Sequence, residues 1–202
     1  MTERRSRDAI RGHVDSLNRA LNCLTDERLI TSQAPSDGKH AGVYSITTRG
    51  RDASAEGSEL GRAGTVLIWL SAAQRVLVQV SSSRRDPFIE VLTYSYRLGT
   101  EVDSWPREIV AFQWTPDEEP PQRPYSHLHV GSLVTGGSRF RPDDFNKLHI
   151  PTGFLTLEAV MLFAIEELGV EPAQGRERET VLTQLREGDR AARQARTPGE
   201  DR

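Results

Sequence analysis

The chain of 202 residues has a single cysteine, Cys23, so no intrachain disulfide framework can exist. A lone thiol suits a reducing compartment, and Cys23 reads as a small buried side chain rather than a nucleophile. Apolar residues are scarce, at 36%, so the core has to be concentrated in part of the chain. No apolar run approaches the roughly 18 residues of a membrane-spanning helix. The opening stretch, MTERRSRDAI, is charged where a secretory leader would be apolar. The expectation is a cytoplasmic protein with no membrane attachment. An excess of basic charge is also missing: 26 Lys and Arg face 29 Asp and Glu. Tight nonspecific binding to nucleic acid is not implied, although a local basic patch is compatible with this balance. No glycine-rich phosphate loop, paired-cysteine site or Gly-x-Ser-x-Gly elbow occurs.

The hydrophobic runs that do occur lie between Thr65 and Leu168. They point to an α+β fold: an antiparallel β-sheet packed by a C-terminal helix, with an N-terminal helix and hairpin. Residues 1–52 read as the N-terminal module. Ile10, Val14, Leu17, Leu21 and Leu24 recur at helical spacing, and two β-type runs, Leu29 to Gln33 and Val43 to Thr48, flank a turn-rich segment. Residues 51–64, RDASAEGSELGRAG, look like a linker or a short poor helix.

The core domain is expected over residues 63–172. TVLIWL and RVLVQV read as two buried strands separated by SAAQ, with a helix over residues 64–74 as the alternative. FIEVLTYSYRL alternates, with Ile89, Val91, Thr93, Ser95 and Arg97 on one side and Phe88, Glu90, Leu92, Tyr94, Tyr96 and Leu98 on the other. EIVAFQWT, YSHLHVGSLV and FNKLHI follow as strands, the last cut by Pro151. Thr156 caps a helix with an apolar stripe from Leu157 to Leu168, and Gly169 stands where that helix stops. Residues 173–202 form a charged tail with a marginal helix, whose apolar contacts are Val181, Leu182 and Leu185.

Chemistry-bearing residues cluster in PYSHLHVGS and NKLHIPTG. His127 and His129, two apart on a strand, face the same side. A strand folding back after the glycine-rich loop would set His149 opposite His129. Two imidazoles can serve as base and acid around a ribose 2′-hydroxyl, which makes His127, His129 and His149 candidate catalytic residues. Arg139, Arg141 or Lys147 could hold a phosphate, and Tyr125 could stack on a base. Neutral imidazoles so placed are also metal ligands, and a solvated polar strand face explains the pattern equally. The His-x-His spacing resembles that of cupins, but their acid is missing: Val130, Gly131, Ser132 and Leu133 follow His129. No metal and no cofactor are therefore assigned. His13 and His40 read as surface histidines, and Trp69, Trp105 and Trp114 as packing residues.

Two resemblances add to this. The succession VLTYSYRL, IVAFQWTPDE and YSHLHVG resembles the TumE-type toxins of bacterial toxin–antitoxin pairs. Tyr94, Tyr96, Arg97 and Leu98 match their first strand, Asp117 and Glu118 the acidic turn, and His127 and His129 the third strand. The resemblance implies an antiparallel α+β fold, a ribonuclease acting on RNA, and an antitoxin protein as partner. The turn here is longer and rich in proline. LTDERLITSQ and GVYSITTRGRD are similar to the end of a winged-helix DNA-binding domain, with too few residues upstream for its other helices. Two functions compete: a toxin-like ribonuclease using histidine acid–base chemistry, and a non-catalytic module that binds protein or nucleic acid.

Overall fold

Period-two burial runs through the middle of the chain. The fourteen residues of the longest apolar stretch alternate without interruption, with Ile68, Leu70, Ala72, Val76 and Val78 buried. The structure, a computed structural model, describes residues 2–33, 42–48, 57–79, 87–102, 105–116, 126–131 and 150–195. The elements are α1 (Thr2–Leu21), β1 (Leu29–Gln33), β2 (Val43–Thr48), β3 (Ser58–Ala63), β4 (Val66–Gln79), β5 (Phe88–Val102), β6 (Trp105–Trp114), β7 (Ser126–Val130), β8 (Ile150–Pro151), α2 (Leu157–Glu166) and α3 (Arg178–Ala195).

The described strands form one antiparallel sheet in the order β1-β2-β4-β5-β6-β7-β8. β3 pairs with residues 66–70 of β4, and β2 with residues 73–77. β5 pairs with β4 from residue 68 to residue 79, so it takes the opposite edge and leaves β3 and β2 to follow one another along the first. The α+β class with an antiparallel sheet is thus the observed one. The helices lie on one face of that sheet: α1 meets β4 and β5, α2 meets β5, and α3 packs on α2.

Each helix buries the stripe its sequence provides. In α1, Ile10, Leu17 and Leu21 are buried, while Arg4, Arg7, Asp8, Arg11 and Asp15 stay exposed. The Asn18 side chain accepts a 2.8 Å hydrogen bond from the Leu29 N–H, fixing where β1 begins. Thr156 caps α2 as expected, its hydroxyl accepting from the Ala159 N–H, and Gly169 takes φ +72° just beyond the helix. α3 buries Val181, Leu182 and Leu185, the three residues its sequence offers.

Three expectations are corrected. The segment read as a linker or short helix contains β3, a strand hidden by its polar composition because Leu60 is its one large side chain in the core. TVLIWL and RVLVQV are one strand, since SAAQ is held on both edges, by β2 and by β5. The alternation in β5 is broken by a bulge: Arg75 pairs with Thr93 but Val76 with Val91, so Leu92 is surplus. Ile89 and Val91 thereby join Tyr94, Tyr96 and Leu98 on the helix side, where they pack against the core. One hydrophobic cluster includes Leu17 of α1, Ile46 of β2, Leu98 of β5 and Leu185 of α3.

Glycine is required where strands approach closely. A Cβ on Gly99 would lie 2.0 Å from the Trp69 indole, which covers that cross-strand position. A Cβ on Gly131 would fall 1.8 Å from the Glu108 carbonyl oxygen, beside the bond from the Gly131 N–H to the Ile109 carbonyl.

Candidate functional site

The sequence-predicted histidines sit on β7, whose register with β6 decides their face. Ser126 pairs with Trp114 and Leu128 with Phe112, all on the helix side: the Phe112 ring meets Phe163 of α2, and Ser126 Oγ lies 3.0 Å from the Tyr94 hydroxyl. His127 and His129 therefore occupy the face away from the helices, beside Gln113 and Ala111. Their rings are adjacent, with centroids 4.8 Å apart at 64°. His127 is 2% exposed and His129 partly buried. β8 pairs Pro151 with His127 and Ile150 with Leu128, the register that the expected pairing of His149 with His129 requires. Pro151 thus belongs to the strand it was expected to cut.

Tyr125, Arg139, Arg141, Lys147 and His149 lie outside the described residues, as do Asp117 and Glu118. Among the described residues, no group of three or more His, Cys, Asp or Glu is placed to hold a metal ion.

The helix side of the sheet holds a second site. A cavity of about 790 Å³ opens between α1, α3, the N-terminal end of α2 and the sheet. Small side chains create it. Gly188 and Ala192 of α3 and Ala9, Ser16 and Ala20 of α1 line it, over a floor that includes Val91 and Tyr96. Larger residues at those helix positions would fill the same space. A volume of this size lies within the range of roughly 300–1,000 Å³ typical of small-ligand sites.

Polar groups converge on this apolar enclosure. His13 Nε2 donates to Gln74 Oε1 at 3.1 Å, and Gln74 Nε2 donates to the Tyr96 hydroxyl. Having accepted that bond, Tyr96 still has its own proton to donate. Gln74 is 6% exposed and Tyr96 1% exposed, so the row is built into the interior. Burial lowers the His13 pKa from its ordinary 6.5, against a smaller opposing effect of the Gln74 hydrogen bond. The imidazole is thereby held neutral, with Nδ1 left as an acceptor. Burial likewise raises the Tyr96 hydroxyl well beyond its usual range and keeps it protonated.

Glu158 completes the set. It is 5% exposed, lines the cavity, and packs its Cγ where a Cβ on Gly188 would come within 3.0 Å. Burial raises its pKa from 4.5; a hydrogen bond from its own backbone N–H opposes this, Asp189 adds to it, and Arg19 again opposes. Among the described residues no side chain hydrogen-bonds or ion-pairs with its carboxyl group. The neighbouring Asp189 is engaged elsewhere, accepting from the Thr156 hydroxyl at 2.6 Å and from Arg193 Nε at 2.8 Å.

Neither His13 nor Glu158 stands out as functional by residue type alone, and the expectation of a surface position for His13 is corrected here. Both carry a helical signal all the same. His13 follows Ile10 by three and precedes Leu17 by four, at the margin of the apolar stripe. Glu158 precedes Met161 by three and Ile165 by seven, which puts a carboxylate on the buried face.

Comparison of the chain with protein-family models, with curated proteins and with solved structures returned no match.

Proposed function

We propose that the protein is a binding module whose ligand, a small amphiphilic molecule, occupies the cleft between α1, α3 and the sheet. The observation that carries this is the union of an apolar enclosure of about 790 Å³ with the buried row His13, Gln74 and Tyr96. Burying an amide and a phenol costs stability unless their hydrogen bonds are completed. A chain selected for packing alone would gain by filling this space with hydrocarbon. The reading shares only its non-catalytic character with the alternative drawn from the sequence, which named protein or nucleic acid as the partner, and it gives the small-residue faces of two helices the recognising role. A cytoplasmic setting, suited to the single thiol, is part of it. Among the described residues no helix is long and apolar enough to cross a membrane.

The test is titration with Nile red, a neutral apolar fluorophore. One saturable site is expected. Ala192→Phe, which projects a ring into the cleft, should weaken binding by about tenfold or more without lowering the melting temperature. A folded protein that does not bind the dye, or binding indifferent to Ala192→Phe, would sink the proposal.

A second reading, the toxin-like ribonuclease restrained by an antitoxin, is favoured by the His127–His129 ring pair. It requires an RNA phosphate to reach those rings, and the 2% exposure of His127 weighs against it. RNA digestion abolished by His129→Ala, with Nile red binding retained, would assign chemistry to that face instead.

A further inference from the structure

Resting on the cleft reading, we infer that the ligand carries a protonated amine as its head group, seated against the Glu158 carboxylate with its hydrocarbon along the small-residue faces of α1 and α3. Glu158 projects from the first turn of α2 into the cavity, is 5% exposed, and has no ion-pair partner among the described residues. A buried carboxylate without a contacting cation is costly, and a ligand ammonium supplies one. The groups around it set the sign of the site. On α1 these are His13, held neutral, and Arg19, an exposed lining residue whose charge favours the ionised Glu158 carboxyl without forming an ion pair with it. On β5 it is the protonated Tyr96. On α3 they are Glu187, exposed at the mouth, and Asp189, already paired with Arg193. Glu158 and Glu187 against Arg19 leave the lining with a surplus negative charge, so an anionic head would meet repulsion and a cationic one attraction.

The remaining polar atoms fit the same head group. A primary ammonium has three donors. Glu158 offers carboxylate oxygens and His13 offers Nδ1 as an acceptor, while Tyr96 can turn its oxygen to a donor. The apolar tail then needs only the contacts that Ala9, Ala20 and Ala192 leave open.

Three probes of one chain length separate the alternatives: decylamine, decanol and decanoate, each titrated calorimetrically into the full-length protein at neutral pH. Decylamine is expected to bind about tenfold more tightly than decanol, and decanoate more weakly than decanol. Glu158→Gln, which keeps shape and removes the charge, should erase the preference for the amine while decanol still binds. Glu101→Gln, exposed and outside the cleft lining, should leave that preference intact, which guards against a general effect of net charge. Equal binding of amine and alcohol, or tightest binding of decanoate, would overturn the amine inference alone. Failure of all three probes to bind would overturn the cleft reading with it.

Discussion

Glu158 is the residue on which charge and burial meet most directly. Its folded-state pKa is raised above the unfolded value of 4.5, so the folded chain binds a proton more tightly than the unfolded one. The associated stability is fully present below pH 4.5 and is lost as pH rises through the folded-state value. Glu158→Gln is always neutral and escapes that loss. It should match the native protein in urea melts at about pH 4 and exceed it in midpoint at about pH 8, with an unchanged slope. A carboxylate retained at a stability cost is intelligible if it meets a ligand. The same experiment therefore bears on the cleft: added decylamine should narrow the difference at high pH.

Among elements, α2 is the one that joins the layers, and its first turn is the joint. The Thr156 hydroxyl accepts from the Ala159 N–H and donates to Asp189 of α3, while Arg193 bonds both Asp189 and the Phe154 carbonyl. Thr156→Ala removes the cap and the link together. A loss of about 1–2 kcal/mol is expected in chemical denaturation, and Asp189→Ala made on top of it should cost less than it does alone. This helix was fully legible in the chain, because cap, stripe and terminal glycine all use local rules. So were α1, β1 and β2. β3 was not, since its pairing with β4 is a tertiary fact and its own composition is polar. The slip in β5 was equally hidden: a bulge leaves no mark on a sequence that alternates on either side of it. His127 and His129 were correctly placed on one face, but which face depends on how β7 pairs with β6, and that is a long-range choice. The cleft was the least legible feature. A cavity consists of side chains that are absent, and alanines on α1 and α3 read from sequence as good helix formers.

At the scale of the whole molecule, the helix layer touches the sheet through α1 and α2, and α3 reaches the core by leaning on α2. The cleft is the gap that this arrangement leaves between α1 and α3. A ligand bound there ties the two outer helices together and binds only the folded chain. At about one hundred times its dissociation constant, such a ligand contributes about 2.7 kcal/mol. For a domain of this size that corresponds to a rise in melting temperature of about 5–10 °C, read by differential scanning calorimetry. Ala192→Phe should abolish the rise. The backbone bonds that anchor the α2–α3 connection, from the Glu171 N–H to the Arg62 carbonyl and from the Ala173 N–H to the Cys23 carbonyl, lie away from the cleft lining and should protect equally in both states.

The surplus residue at Leu92 has a consequence for the outer end of β5. Because a strand turns its side chains over at every step, one extra residue exchanges the two surfaces for everything beyond it. Ile89 and Val91 look toward α1 and the hollow only by virtue of that miscount. Deleting Leu92 would remove the irregularity and leave Val91 opposite Val76 and Ile89 opposite Val78, still toward the helices, whereas drawing Leu92 into the ladder would turn those two hydrocarbon side chains away and Glu90 inward.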